Sequence, residues 1–375
     1  MVSGKSLSTF AASCHPASNV STTASYDGNS QVDIDSSVFE TVKETLEKRP
    51  CSTSRKYGTY QREYIQWCNS KRFPDQDTVT CGKLHLFLQQ EVVGRSSKVN
   101  NEKRIGHQTV CGYVNAIVDL YNQQVSLRRN SNPHPRSNAV KLLLSNIKSE
   151  TTKTKKQNYQ DRGIGTLLDG YQSTEQFASI CECFFTFNDT RGRACFLFSH
   201  FGLLRGENVR ALELADMFSQ ILDGEGFSEC IALVLLIQHG KTNTYGKMQH
   251  VGYMRNVDVR ICPVGAIALY LFERFHVDNE VFPTFESSKD WYDIKFIRAK
   301  SRTNELTYVT HKKSYERVFN HLGLTFNKKT HINRQQGVRQ LESADVDISQ
   351  TRRHGRWGMD SCEAVYAAPL AREAM

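Results

Sequence analysis

One stretch of this chain reads as a buried strand, and almost every other patterned stretch has a helical period. Ile231-Ala-Leu-Val-Leu-Leu-Ile237 is an unbroken apolar run of strand length, and the short run 251–254 beyond the polar segment 238–247 completes a β-hairpin. Helices are expected elsewhere. An amphipathic segment opens at Ser36 and is stopped by Pro50. Ser52 or Ser54 can then cap a helix over 55–71, where Tyr57, Tyr60, Tyr64 and Trp67 recur at three and four residues and form one aromatic face. Further helical patterns cover about 81–93, 101–122, 135–151, 174–185, 190–204, 262–275 and 312–322, and resume from Arg334. The expected fold class is therefore mainly α with a small antiparallel β-sheet.

At 375 residues the chain is long enough for two cores. Residues 1–34 are polar and without period, which predicts a flexible tail. A helical domain is expected over 35–152, a basic linker over 153–170 and a second domain over 171–375. The linker assignment rests on Lys148, Lys153, Lys155 and Lys156 in a stretch with few large apolar residues. Eleven cysteines are scattered, with only Cys181 and Cys183 in close spacing, so neither a zinc site nor a disulfide framework is expected. The first thirty residues have no basic segment leading into an apolar run, and no stretch is long and apolar enough to span a membrane. An intracellular, reducing setting follows as the expectation, with no cofactor, no membrane and no small-molecule substrate.

The chemistry is concentrated at the end of the chain. His331-Ile-Asn-Arg334 sets an imidazole and a guanidinium three residues apart on a helix, and His354-Gly-Arg-Trp357 and Tyr366 add an indole donor and a phenol. These groups can hold a phosphodiester and attack it. Arginine suits the non-bridging oxygens because its planar fork stays protonated and makes two charge-assisted bonds. A net charge of +9 suits a polyanionic partner. The exposed side of the first aromatic helix would carry Arg55, Lys56 and Arg62 to a phosphate backbone, as would the linker lysines. Arg339, Arg352, Arg353 and Arg356 are expected to face DNA or solvent.

Arg334 and Trp357 are 23 positions apart, and Trp357 and Tyr366 are 9 apart. With Arg205 in Gly202-Leu-Leu-Arg-Gly-Glu-Asn-Val-Arg-Ala-Leu-Glu-Leu-Ala-Asp216, this pattern resembles the tyrosine recombinase family, whose set is Arg, Lys, His-x-x-Arg, His or Trp, and Tyr. The resemblance runs from about 177 to 371. It implies a two-domain architecture, a helical core-binding domain and an α+β catalytic domain closing on duplex DNA, with a strand following Asp216. It also implies strand cleavage and exchange without metal or ATP through a 3′-phosphotyrosine, with Arg205, His331, Arg334 and Trp357 around the phosphate and Tyr366 as nucleophile. A hairpin lysine would protonate the leaving oxygen; Lys241 is the candidate, with Lys247 as the alternative. His354 is the alternative to Trp357. Where the family carries an acidic residue three places after the first arginine, this chain has Asn208, with Glu207 beside it.

Thr53 to Cys68, the His-Gly-Lys-Thr-Asn hairpin and the His-Gly-Arg-Trp ending are most similar to Crypton transposon recombinases and the related fungal centromere-binding proteins. The resemblance implies a nuclear protein that integrates or excises a mobile element, a homodimer on each site and a tetramer in synapsis. Two other functions fit the same fold, a non-cutting centromeric or architectural DNA-binding protein and a type IB topoisomerase-like enzyme.

Overall fold

The structure, a computed structural model, describes residues 28–97, 101, 104–157, 169–171, 173–225, 229–238, 240, 243, 246–326 and 329–357, apart from 172 and the side chains of 28–31 and 155. The chain divides into two compact units, residues 1–159 and 160–375.

The first unit is helical: α1 (Gly28–Glu47), α2 (Cys51–Lys71), α3 (Cys81–Phe87) running into a π-helical turn Leu88–Val92, α4 (His107–Ser126) and α5 (Asn138–Gln157). The aromatic period of α2 becomes the core. Tyr64 and Trp67 are buried, Tyr64 meets Phe87 edge to face at 5.3 Å, and Tyr60 stacks on Tyr113 of α4 at 3.7 Å. Burial of one such ring contributes about 1.5–3 kcal/mol.

Three boundaries differ from the sequence expectation. Pro50 occupies the N-cap of α2, and no side chain caps it, so neither Ser52 nor Ser54 has that role. Proline fits there because its missing N–H would have had no helical partner. Helix α1 begins at Gly28, within the segment expected to be a tail. Helix α5 continues to Gln157, through Lys153, Lys155 and Lys156, because lysine is a good helix former and no glycine or proline interrupts it.

In the second unit α6 (Thr174–Thr186), α7 (Thr190–Phe201) and α8 (Gly206–Ala211) precede the sheet β1 (Met217–Leu222), β2 (Cys230–Ile237) and β3 (Gln249–Tyr253). Helix α9 (Pro263–Phe272), a π-helical turn Glu273–Val277, α10 (Ser288–Trp291), α11 (Tyr308–His321), α12 (Ile332–Ser343) and α13 (Ile348–Gly355) follow. The sheet is antiparallel in the order β1-β2-β3, with Met217 opposite Leu235 and Leu233 opposite Tyr253. The expected hairpin is β2–β3, and β1 is the strand that follows Asp216.

Helix α7 is the axis of this unit. Every residue from Gly192 to His200 is buried, as for a helix with neighbours all round, and α6, α9, α11 and α12 pack against it. Asp189 caps it by accepting from the Gly192 N–H at 2.7 Å. Gly337 lets α12 come close, since a Cβ there would sit 2.4 Å from the His200 carbonyl oxygen. The architecture is a mainly helical one with a small antiparallel sheet. No described helix is long and apolar enough to cross a membrane.

Candidate functional site

Helix α7 ends at Phe201, and the chain reverses through Gly202–Arg205 before α8. Leu203 takes a positive φ of 48° there, and Arg205 is the N-cap of α8. The carbonyls exposed by this reversal gather the basic side chains of α12 and α13. His354 Nε2 donates to the Phe201 carbonyl at 2.5 Å, and Arg356 Nη2 to the Gly202 and Leu203 carbonyls at 3.1 Å each. Arg334 Nη1 also donates to the Leu203 carbonyl, and its Nη2 to the Gly355 carbonyl at 2.7 Å. One turn thus collects three charged or ionisable side chains.

Arg334 is 1% exposed, and the Trp357 ring lies over its guanidinium at 4.2 Å from the centroid. A desolvated cation–π contact of this kind contributes about 2 kcal/mol. Trp357 reaches that place because Gly355 has no side chain: a Cβ there would fall 1.8 Å from the indole ring. Arg356 between them is left-handed, with φ at 57°, which turns the chain back after α13. The indole packs, as do Leu341 and Ile348, against the buried pair Leu203 and Val338.

Burial pushes the Arg356 guanidinium down to about 10, and the nearby charge of Arg205 adds to the fall. His354 is likewise held below the usual imidazole range, first by burial and then by Arg356 and Arg334, against the raising effect of its bond to Phe201. Because the Phe201 carbonyl can only accept, His354 carries a hydrogen on Nε2. Arg205 itself is half-buried. The positive groups of this turn act on one another through a poorly solvated region, which is what a developing negative charge would feel most strongly.

The expected site residues are placed unevenly. Arg205, Arg334, His354, Arg356 and Trp357 meet at the 202–205 turn, with the indole nitrogen of Trp357 buried. His331 is exposed at the N-cap of α12, one turn from the buried Arg334. Lys241 and Tyr366 lie outside the described residues. Lys247 is exposed, and its backbone N–H donates to Asn243 Oδ1 at 2.8 Å, within a turn that the Asn243 amide also closes onto the Gln238 and Lys247 carbonyls. Asn208 is 7% exposed and Glu207 is exposed, so the buried place after Arg205 belongs to the neutral amide.

Of the residues expected to face DNA, Arg55, Lys56 and Arg62 are exposed on α2, Arg55 and Arg62 opposite its aromatic face and Lys56 at the edge of that face. Arg62 Nε donates to the Gly58 carbonyl at 3.1 Å, and Lys56 Nζ lies 5.8 Å from the Tyr60 ring centroid. Lys153 and Lys156 are exposed on α5, which also carries Lys155, and Arg353 is exposed on α13. Arg356 differs from the expectation, because its guanidinium is engaged by the carbonyls of the turn. Sequence reasoning also did not foresee the turn itself as the common acceptor. Backbone carbonyls leave no mark in a sequence, and only the Gly355 spacing before Trp357 hints at the close approach.

Residues 120–375 match the family model described as the centromere DNA-binding protein complex CBF3 subunit, domain 2. No curated protein matches the sequence. Among solved structures, the XerH site-specific recombinase bound to palindromic difH substrate, a post-cleavage complex, is similar with a TM-score of 0.55 and 16% identity, over 91% of this chain and 82% of that one. The pre-cleavage complex of XerH with difH gives 0.53 and 15% over the same shares. The Tn1549 transposon integrase in complex with transposon right end DNA gives 0.51 and 10%, over 91% of this chain and 96% of that one. At these identities the likeness is one of fold.

Proposed function

Because the chain belongs to the family of the centromere DNA-binding protein complex CBF3 subunit, domain 2, and has the fold of tyrosine recombinases, we propose that it binds duplex DNA and cleaves and rejoins it through Tyr366. The observation that carries this reading is the meeting of Arg205, Arg334, Arg356 and His354 at one poorly solvated turn, in a chain whose His331, Trp357 and Tyr366 keep the recombinase spacing.

In this reading Arg205 and Arg334 hold the non-bridging oxygens of one phosphodiester, where charge accumulates in the transition state. Arg334 reaches them by exchanging its bonds to the Leu203 and Gly355 carbonyls for bonds to phosphate, while Trp357 keeps water from it. The Tyr366 phenol oxygen attacks phosphorus and its proton passes to His331. The bond from phosphorus to the 5′ oxygen breaks, and Lys241 gives that oxygen its proton. A 3′-phosphotyrosine remains, and reversal of the same steps rejoins the strand without ATP. Arg55, Lys56, Arg62, Lys153, Lys155, Lys156 and Arg353 contact the backbone elsewhere. The substrate is the end of a Crypton-like mobile element in the nucleus, bound by a dimer at each site and a tetramer in synapsis.

A second reading, DNA binding without cleavage, is favoured by one specific observation. Arg334 is 1% exposed and already spends its two Nη groups on carbonyls, an arrangement that is stable without any phosphate.

A nicked suicide duplex made from a site recovered by binding selection separates the two. Wild type is expected to give a covalent adduct on a denaturing gel, and Tyr366→Phe to give none while binding the duplex as tightly. Binding with no adduct from wild type establishes the second reading. An adduct that survives Tyr366→Phe removes that tyrosine as the nucleophile, and relaxation of supercoiled plasmid at no particular site points to a topoisomerase.

A further inference from the structure

Three residues on one face of α12 grip the stretch by which the chain enters the second unit. Gln336 Nε2 and Arg339 Nη1 both donate to the Asp169 carbonyl, at 3.0 and 2.9 Å. Gly170 makes this approach possible, with φ at 114° and a missing Cβ that would lie 1.6 Å from Gln336 Nε2. The third residue is Gln340, which the entering chain reaches through a buried histidine.

Tyr171 is 7% exposed and His200 2% exposed. His200 Nε2 lies 2.5 Å from Gln340 Oε1, and its Nδ1 lies 2.5 Å from the Tyr171 hydroxyl. An amide oxygen only accepts, so Nε2 carries the imidazole hydrogen. The neutral ring then has one lone pair, on Nδ1, and the tyrosine O–H donates to it. Phe177 covers the pair, with ring centroids 5.2 Å from Tyr171 and 4.3 Å from His200. The result is a fully directed chain, Tyr171 to His200 to Gln340, that joins the entering segment, the end of α7 and the middle of α12.

Two members of that chain, His200 and Gln340, lead directly to the site. His200 precedes Phe201, whose carbonyl holds His354, and lies three residues before Leu203, whose carbonyl holds Arg334 and Arg356. Gln340 is on the helix that presents Arg334, and Gly337 of the same helix rests on the His200 backbone. A slip of α12 along α7 would therefore move the Arg334 guanidinium away from the turn that holds it.

We infer that Tyr171, His200 and Gln340 are positioning residues: they fix the register of α12 against α7 and so the place of Arg334, and they make that place depend on how the chain enters the unit. The catalytic meaning of this rests on the cleavage reading above, while the geometric part does not. Nothing in the chemistry requires these three to touch DNA.

The test uses the full chain and three variants. Gln340→Leu removes the acceptor, Gln340→Glu keeps an oxygen in its place, and Tyr171→Phe removes only the hydroxyl. Hydrogen exchange of the backbone amides of Arg356 and Trp357, which bond to the Arg353 and Arg352 carbonyls, reports the site without any activity. In Gln340→Leu and Tyr171→Phe these amides are expected to exchange about tenfold faster, with adduct formation slowed about tenfold and duplex affinity unchanged. Gln340→Glu is expected to stay within about threefold of wild type in both measurements. Wild-type exchange in Gln340→Leu and Tyr171→Phe overturns the inference, as does equal loss in Gln340→Leu and Gln340→Glu. If wild type forms no adduct the cleavage reading fails by itself, and exchange alone decides the positioning. If Gln340→Leu does not fold, Tyr171→Phe carries the same prediction.

Discussion

Two arginines of the second unit are equally buried, each 1% exposed, yet they sit in opposite electrostatic settings. Arg274, in the turn after α9, meets the Glu280 carboxylate through Nε and Nη2 at 2.6 Å each and spends Nη1 on the Lys295 and Phe296 carbonyls at 2.7 and 3.0 Å. Arg298 joins the same carboxylate at 2.9 Å and reaches Asp278 at 2.5 Å, beside a cavity of about 260 Å³. Arg334 is held by two carbonyls and an indole face, and none of these three partners carries a negative charge. A charge cancelled by a carboxylate is finished as chemistry and serves the fold. Carbonyl dipoles hold a charge without cancelling it, and an anion can displace them.

The largest effect should come from breaking the cancelled pair. Arg274→Met leaves Glu280, whose side chain is 11% exposed, with Arg298 as its ion partner, and loss of one member of a buried pair costs about 3–5 kcal/mol. Urea unfolding is expected to show that loss, while any adduct rate per folded molecule stays within about twofold of wild type. A fall in cleavage without a fall in stability would make Arg274 part of the site and erase the contrast.

Arg334→Lys tests the other side. Lysine keeps the charge but cannot bond two carbonyls in one plane or lie flat beneath Trp357. The rate of adduct formation is expected to drop by about 10²–10³, the range for loss of one donor to a developing oxyanion. Duplex affinity at constant salt should change far less. Equal losses in binding and cleavage would mean that Arg334 contributes uniform binding, as in a protein that only holds DNA.

The same contrast decides what the sequence revealed. Tyr57, Tyr60, Tyr64 and Trp67 announced α2, because one face of that helix is buried and a period of 3.6 records it. The apolar run of β2 was equally plain. Strand β1 left no such trace in the residues: Phe218 and Ile221 are exposed, so burial never imposed an alternation on it. The candidate site was legible in its residue types, His331, Arg334, Trp357 and Arg205, since their chemistry and spacing are properties of the letters. Their partners were not. Leu203 and Gly355 act through backbone carbonyls, and the positive φ of Leu203 and Arg356 belongs to residues that ordinarily avoid it. The lysines of α5 misled in the reverse sense, since charge suggested a linker where helix propensity prevailed.

Burial depresses two imidazoles of this unit, and at His311 neighbouring arginines add to it. His200 is held down to about 4 by burial, with its Gln340 bond opposing, and His311 to about 3 by burial and then by Arg210 and Arg191. In the unfolded chain both take up a proton near pH 6.5. Between that pH and about 4 the unfolded state binds protons that the folded state refuses, so stability falls as pH falls through this window. The loss for His200 alone is on the order of 3 kcal/mol by the lower end. Urea midpoints at pH 7, 5.5 and 4.5 are expected to decline in step, and a flat series would show that these imidazoles are protonated in the fold.

The smallest effect belongs to the rim of the cancelled cluster. Asp278 pairs with Arg298 at 2.5 Å, but its side chain is 48% exposed, against 11% for Glu280. Exposed pairs are screened and contribute about 0.2–1 kcal/mol. Asp278→Asn should therefore lower stability within that range, and added salt should shrink the difference further. Glu280→Gln at the same corner should cost several times more, because it leaves Arg274 buried beside a neutral amide. If the two variants lost equal stability, the corner would be an evenly shared surface network, and the low exposure of a single carboxylate would no longer explain the structural role of Arg274.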